Sequence, residues 1–352
     1  MDWADQTPKL LQLLFGIAAF LVVVGGLLVL LDRGPAAIAW LAGKARAGLR
    51  AGPARERVRR RPPRELGVGL IFLTPAIILV SIGLVIPAIR TIVLSLRDRF
   101  SQESVGLENY GWMFTQSDML LVLRNSVIWV ILVPLLATSI GLIYAVMVDK
   151  ARLEWFAKSL IFLPMAISFV GASIIWKFIY EYRPEESNQI GLLNQVIVWL
   201  GLPPQNWMLN RGFALNTLLL IVIMVWIYVG FAMVVLSAAI KAIPGDVIEA
   251  ARVDGVNAWQ LFWRITLPSI RPAVIVVVVT VSIATLKVFD IVRTMTGGRF
   301  GTSVLANEMF TQAFTQGEFG RGSALAVFLF ILVLPIVFYQ VRVLRQRREE
   351  AR

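Results

Sequence analysis

Seven long blocks of apolar residues, each almost free of charge, run near 11–31, 66–89, 125–148, 159–176, 212–240, 272–292 and 323–341. A soluble core spaces its apolar residues by helix or strand period, whereas these blocks are apolar on every face. About 18 or more such residues cross a hydrocarbon layer of roughly 30 Å, because a helix rises about 1.5 Å per residue. Lipid offers a backbone amide no partner, so each crossing must satisfy its hydrogen bonds internally, as a helix does. Barrel strands would alternate inward and outward residues over about ten positions, and these blocks do not. The expectation is an all-α polytopic membrane protein with seven spans, and a mean hydropathy of +0.75 agrees. The sixth block is the least clean.

Lysine and arginine set the orientation, since cytoplasmic loops retain an excess of them. With the N-terminus outside, the inside segments are 32–65, 149–158, 241–271 and 342–352, about a quarter of the chain, and they hold 22 of its 34 basic residues. The reverse orientation would place Arg55, Arg57, Arg59, Arg60, Arg61 and Arg64 outside, so the C-terminus is expected in the cytoplasm. The net charge of +12 thus tracks topology, and no nucleic-acid partner is expected. Residues 32–65 read either as a juxtamembrane stretch near anionic membrane lipid or as a plain stop-transfer anchor. The first block reads as a retained helix rather than a cleaved signal sequence: Asp2, Asp5 and a single cation, Lys9, precede it, and the most basic segment follows.

The chain has no cysteine and no histidine, which excludes disulfides, thiolate or imidazole metal sites, and Cys or His nucleophiles. Its glycine cluster, "TGGRFG" at 296–301, lacks the lysine and the preceding strand of a phosphate-binding loop. The chain is therefore expected neither to hydrolyse ATP nor to bind a cofactor itself. A membrane-embedded enzyme would need an ionisable pair, and the paired candidates are Lys287 and Asp290, read here as sharing one face of span six. They either neutralise each other or bind a polar solute. A self-contained secondary transporter would need internal repeats and a coupling-ion site, and no convincing repeat relates the two halves.

Between spans five and six lies a polar stretch, "IPGDVIEAARVDGVNAWQLFWRITLPSIRP" at 243–272. Pro244 is expected to close span five, Asp246 to cap a short helix with Glu249 completing a capping box, and Gly255 to end it. Ala250 and Ala251 would offer a smooth patch ringed by the charges of Glu249, Arg252 and Asp254. A second short helix would carry Leu261, Phe262 and Ile265 on an apolar stripe, with Pro268 and Pro272 leading into span six. From pattern alone this is either a docking knob or an ordinary amphipathic connector.

The residues "EAARVDG" followed by "ITLP" resemble the EAA loop of permease subunits in binding-protein-dependent ABC importers, whose broad pattern is E-A-A-x-x-x-G, a gap, then I-x-L-P. Glu249, Ala250, Ala251, Gly255, Ile265, Leu267 and Pro268 match it without departure, and the preceding "AIP" with Asp254 fits the sugar-transporting branch. Similarity extends over roughly 66–344, through "GLENYGWMF" (106–114), "RNS" (124–126), "LPMAIS" (163–168) and "GEFGRGSALAV" (317–327), which look like landmarks of maltose-type carbohydrate permeases. "TGGRFGTSVLANEMF" departs from the commoner form and looks more like the alpha-glucoside branch.

The resemblance implies a six-helix permease domain over 66–352, with the EAA loop at 243–272, preceded over 1–65 by an extra transmembrane helix and a basic linker. It implies a second homologous permease subunit, a dimer of ATPase subunits that hold ATP and magnesium, and an extracytoplasmic sugar-binding protein received by segments 97–124, 181–211 and 296–322. Glu249 would pair with basic or amide groups in an ATPase groove, capping being its plainer role, and Gly255 would allow the turn. By positional correspondence, Gly230, Met233 and Thr285 fall on the substrate path with Trp226 as a platform, although each residue type alone more often packs than binds.

Overall fold

The computed structural model describes residues 73–148, 153–210 and 212–350, which divide into a unit ending at Pro87 and a larger one from Ala88 onward. The expected first span and the basic segment after it lie outside the described residues. The helices in chain order are α1 (Leu73–Leu94), α2 (Glu108–Thr115), α3 (Ser117–Val148), α4 (Glu154–Phe162), α5 (Phe169–Ile179) and α6 (Leu192–Trp199). They continue as α7 (Leu215–Lys241), α8 (Gly245–Val253), α9 (Ala258–Leu286), α10 (Asp290–Met295), α11 (Leu305–Phe310) and α12 (Phe319–Glu350). Among the described residues there is no strand beyond an isolated bridge between Arg97 and Ser104.

Among the described residues five helices, α1, α3, α7, α9 and α12, are long and apolar enough to cross a bilayer, and a sixth crossing forms if the bent pair of α4 and α5 counts as one. The block expected as a straight fourth span is therefore broken by a 101° bend. Pro164 has no amide hydrogen and sits in a short 3-10 turn, Leu163–Ala166, after which Ile167 is extended and the Ser168 hydroxyl caps α5 by accepting from the Gly171 amide at 3.1 Å. The expected sixth span also shifts, because α9 starts at Ala258 and stops at Leu286. Lys287 caps its end and Asp290 opens α10, so the two do not share one helix face, and no ion pair joins them.

Burial ranks the helices. Over its most apolar stretch α7 is 56% buried, against 39% for α3 and α9 and 17% for α12, so α7 is the central helix of the larger unit. One core joins Trp129, Val133 and Ala137 of α3 to Leu220, Ile223, Ala232 and Met233 of α7 and Val277 and Val281 of α9. Two glycines let backbones meet. A Cβ on Gly141 of α3 would lie 2.5 Å from the Ala232 Cβ and 2.9 Å from the Met233 nitrogen. One on Gly230 of α7 would lie 2.6 Å from the Ile161 carbonyl oxygen of α4. Small residues at such crossings substitute close packing for the hydrophobic drive that lipid cannot supply.

Polar groups fix the ends. Glu154 pairs with Lys158 at 2.8 Å and with Lys241, while Lys158 donates to Ser237, tying the start of α4 to the end of α7. At the other end the Asn125 amide donates to the carbonyls of Gly301 (2.7 Å) and Ser303 (3.1 Å), and the Asn216 amide to that of Phe300 (2.9 Å). The starts of α3 and α7 thus lie at one end, and the start of α4 joins the finish of α7 at the other, so α3 and α7 run in the same direction.

Replacing Gly141 by Leu is expected to overpack the α3–α7 crossing at a cost of about 1–3 kcal/mol. Thermal unfolding in a lipid nanodisc should show a lowered transition for Gly141→Leu and none for Gly111→Ala, whose added Cβ meets nothing within 4 Å.

Candidate functional site: the loop between α7 and α9

The chain leaves α7 at Ala242 and turns at Pro244, whose φ of −56° and ψ of 135° place it as the residue before α8. Proline costs nothing there, since the amide it lacks would have had no helical partner. This moves the start of α8 ahead of expectation. Asp246 lies inside the first turn, where its carboxylate suits the positive helix end, and no side chain caps the helix, so the capping box expected with Glu249 does not form.

The far end of α8 closes with a left-handed residue. Gly255 has φ +76°, its amide bonds the Arg252 carbonyl at 3.1 Å, and the Val256 amide bonds the Ala251 carbonyl at 3.1 Å. That paired pattern satisfies carbonyls the helix would otherwise leave open. Two residues on, Asn257 and Gln260 form a reciprocal capping box, Gln260 N to Asn257 Oδ1 at 2.8 Å and Asn257 N to Gln260 Oε1 at 3.1 Å. The sequence signal was available as N-x-x-Q, eight residues beyond the pair credited with it.

From this cap the chain does not break again before the membrane. Residues Phe262–Thr266 form one π-turn inside a continuous helix from Ala258 to Leu286. Pro268 lacks an amide hydrogen and its ring crowds the carbonyl four residues back, which the wider turn accommodates. The second helix is thus the start of span six. Leu267 is half-buried and Pro268 exposed.

Exposure divides the motif. Glu249, Ala250, Arg252, Asp254 and Gly255 are exposed, but Ala251 is only 5% exposed and faces inward, so the smooth outer patch is Ala250 alone. Around it stand apolar side chains that sequence reading passed over: Val253 at 87%, Trp259 at 71% and Trp263 at 49% exposure, the two indoles meeting edge to face at 5.6 Å. A cleft of about 320 Å³ lies between Pro244 and Val247 on one side and Ser269, Ile270 and Pro272 of α9 on the other. The geometry is that of a short helix pinned at both ends and continuous through α9 with the membrane core.

The four residues expected on a substrate path lie away from this loop, within the helix packing. Gly230 meets α4, Met233 is fully buried beside Gly141, and Thr285 is 1% exposed with its hydroxyl donating to the Val281 carbonyl at 2.7 Å. Trp226 is half-buried, edge to face with Trp176 at 5.8 Å. The fold brings Trp226, Gly230 and Met233 together on α7 and sets Thr285 near the end of α9.

Crossing apolar helices around a protruding, end-pinned loop are the architecture of a multi-pass membrane protein. Residues 137–350 match the family model described as binding-protein-dependent transport system inner membrane component, and the chain belongs to that family. It is 52% identical over 272 residues to an osmoprotective compounds uptake permease protein of Synechocystis sp., covering 77% of this chain and 97% of that protein. It is 48% identical over 273 residues to an alpha-glucoside transport system permease protein of Rhizobium meliloti, covering 77% and 81% respectively. Its fold matches a chain of a bacterial ABC transporter involved in alginate import, with a TM-score of 0.67 at 23% identity over 81% of this chain and 96% of that one.

Gly255→Val is expected to strain the left-handed residue by about 1–2 kcal/mol, and Gly255→Asn to be better tolerated. Hydrogen exchange at the Gly255 and Val256 amides checks this: it should speed up in the valine variant and change little in the asparagine one.

Proposed function

We propose that this chain is the permease subunit of an ATP-driven importer for a sugar or oligosaccharide of the alpha-glucoside type. It supplies half of the translocation path, a second homologous permease subunit supplies the other half, and an extracytoplasmic sugar-binding protein delivers the solute. A dimer of ATPase subunits holds ATP and magnesium and docks on α8. The chain itself performs no chemistry. The relatives named for uptake of alpha-glucosides and osmoprotective compounds support the substrate class.

The observation that carries the reading is the mounting of α8. Glu249 and Ala250 stand on the exposed face of a helix closed by Pro244 and Gly255, and the next residues cap a helix that runs unbroken into the core. A rigid contact passes a displacement on, because packed interiors deform little. In the proposed orientation α8 is cytoplasmic, the N-terminus external and the C-terminus cytoplasmic, with residues 1–65 adding a seventh span and a basic linker. The excess of lysine and arginine on that side supports this. Glu249 would pair with basic or amide groups of the ATPase, Leu267 and Pro268 would stiffen the root of the knob, and Trp226, Gly230, Met233 and Thr285 would transmit or line the path as helices part.

Glu249→Lys is expected to abolish ATP-driven sugar uptake and transport-stimulated ATP hydrolysis by the assembled importer while membrane insertion stays unchanged. Normal uptake by that variant would refute docking through Glu249.

A further inference from the structure

The glycine cluster and the segment after it build a second site, distant in the chain from α8. At the end of the molecule opposite α8, a cavity of about 440 Å³ opens among Trp112, Asp118, Ser303, Glu308, Gln312 and Arg321. This is within the range of small-molecule sites, about 300–1,000 Å³. Its floor is rigid. Gly298 lines it at φ +82°, where a Cβ would fall 2.3 Å from the Asn307 amide nitrogen, and Gly301, at φ +73°, is held by the Asn125 amide at 2.7 Å. Only glycine fits the first of these positions, so the run that matches no phosphate-binding loop has a structural use of its own.

The walls contain a polar group that the fold leaves unserved. Gln312 is 5% exposed, and its amide nitrogen donates to Glu308 Oε1 at 2.8 Å, while the Ser303 hydroxyl donates to Glu308 Oε2 at 3.1 Å. A carboxylate only accepts, which fixes the amide's orientation and turns Gln312 Oε1 away from Glu308. That oxygen is buried and has no hydrogen-bond partner. A buried acceptor left unmade is costly, so its presence beside a cavity points to a donor that arrives from outside.

Charge narrows the ligand. Asp118 and Glu308 oppose an anion, and Arg321, whose guanidinium lies 4.8 Å over the Trp112 ring, opposes a cation. A neutral molecule dense in hydroxyls meets both kinds of wall, since each hydroxyl donates and accepts. From this we infer that the cavity is a vestibular subsite for a neutral polyhydroxylated solute, which donates a hydroxyl to Gln312 Oε1. The inference rests on the proposed function only for the direction of travel, in which the site receives the solute before the transmembrane path.

The absence of cysteine makes the test direct. Gln316→Cys, on the exposed rim of the cavity, would be labelled in the assembled importer with a membrane-impermeant maleimide, with Ser187→Cys as a remote control. Maltose, sucrose and trehalose are the probes, with lysine and glucuronate as charged comparators. Saturable slowing by at least one neutral sugar at Gln316→Cys alone is expected, and adding Gln312→Leu should weaken the protecting sugar on the order of fivefold to tenfold. Labelling that no sugar slows, that lysine or glucuronate slows equally, or that stays protected in Gln312→Leu overturns the inference. Uptake of the same sugars, measured in parallel, separates the two claims: uptake without protection removes the subsite and leaves the importer, whereas protection without uptake does the reverse.

Discussion

The crossing of α3 and α7 is the constraint on which the remaining geometry depends. Gly141 lets the two backbones come so close that a single methyl would collide with Ala232 and Met233. Within lipid there is no hydrophobic gain from pressing two apolar helices together, so contact of this kind must rest on fit and dispersion. It places α7 at the centre, and α4, α5 and α9 are then arranged around a helix that has little freedom to move alone. Gly230 repeats the device on the side of α7 that meets α4.

With the middle fixed by glycine, the two ends are fixed by polar groups, and each end holds one of the sites. Toward α8, the Glu154, Lys158, Lys241 and Ser237 cluster joins α4 to α7 just before the chain turns out into the knob. At the opposite end Asn125, Ser126 and Asn216 bind the backbone of 300–305, with Ser126 accepting from the Leu305 amide at 2.9 Å. Asn109 does the same for the 95–97 turn, bonding the carbonyls of Ser95 and Arg97 at 2.9 and 2.8 Å. Two of the landmark runs in the sequence, "GLENYGWMF" and "RNS", therefore contribute buried amides that hold loops to helix ends.

What could be read from the sequence follows from what periodicity reports. The existence of the spans within the described residues was legible, because a long uncharged apolar block has few other uses. Their continuity was not. Pro134 stays inside an unbroken α3 while Pro164 marks a bend of 101°, and the two differ in tertiary surroundings that no local pattern contains. At the α8 loop the glycine stop was readable, since a left-handed residue favours that one side chain. Which alanine faced out was not: Ala250 and Ala251 are adjacent and chemically identical, and only the rotation of α8 on its mount separates them. The exposed Val253 and Trp259 escaped notice because an apolar residue is normally assigned to an interior. The cavity opposite α8 was illegible because its walls bring together residues as far apart in the chain as Trp112 and Arg321, joined by the Asn125 clamp.

Most directly, the account is tested by asking what meets the outer face of α8. Val253 is the most exposed large apolar residue of that helix and the chain has no native thiol. Val253→Cys, treated with a short bifunctional thiol reagent in the assembled importer, should crosslink to a cysteine placed in the groove of an ATPase subunit, and ATP should change the yield. A thiol at 253 that reacts with an external, membrane-impermeant reagent in intact cells and never captures the ATPase would contradict the coupling role and the orientation together.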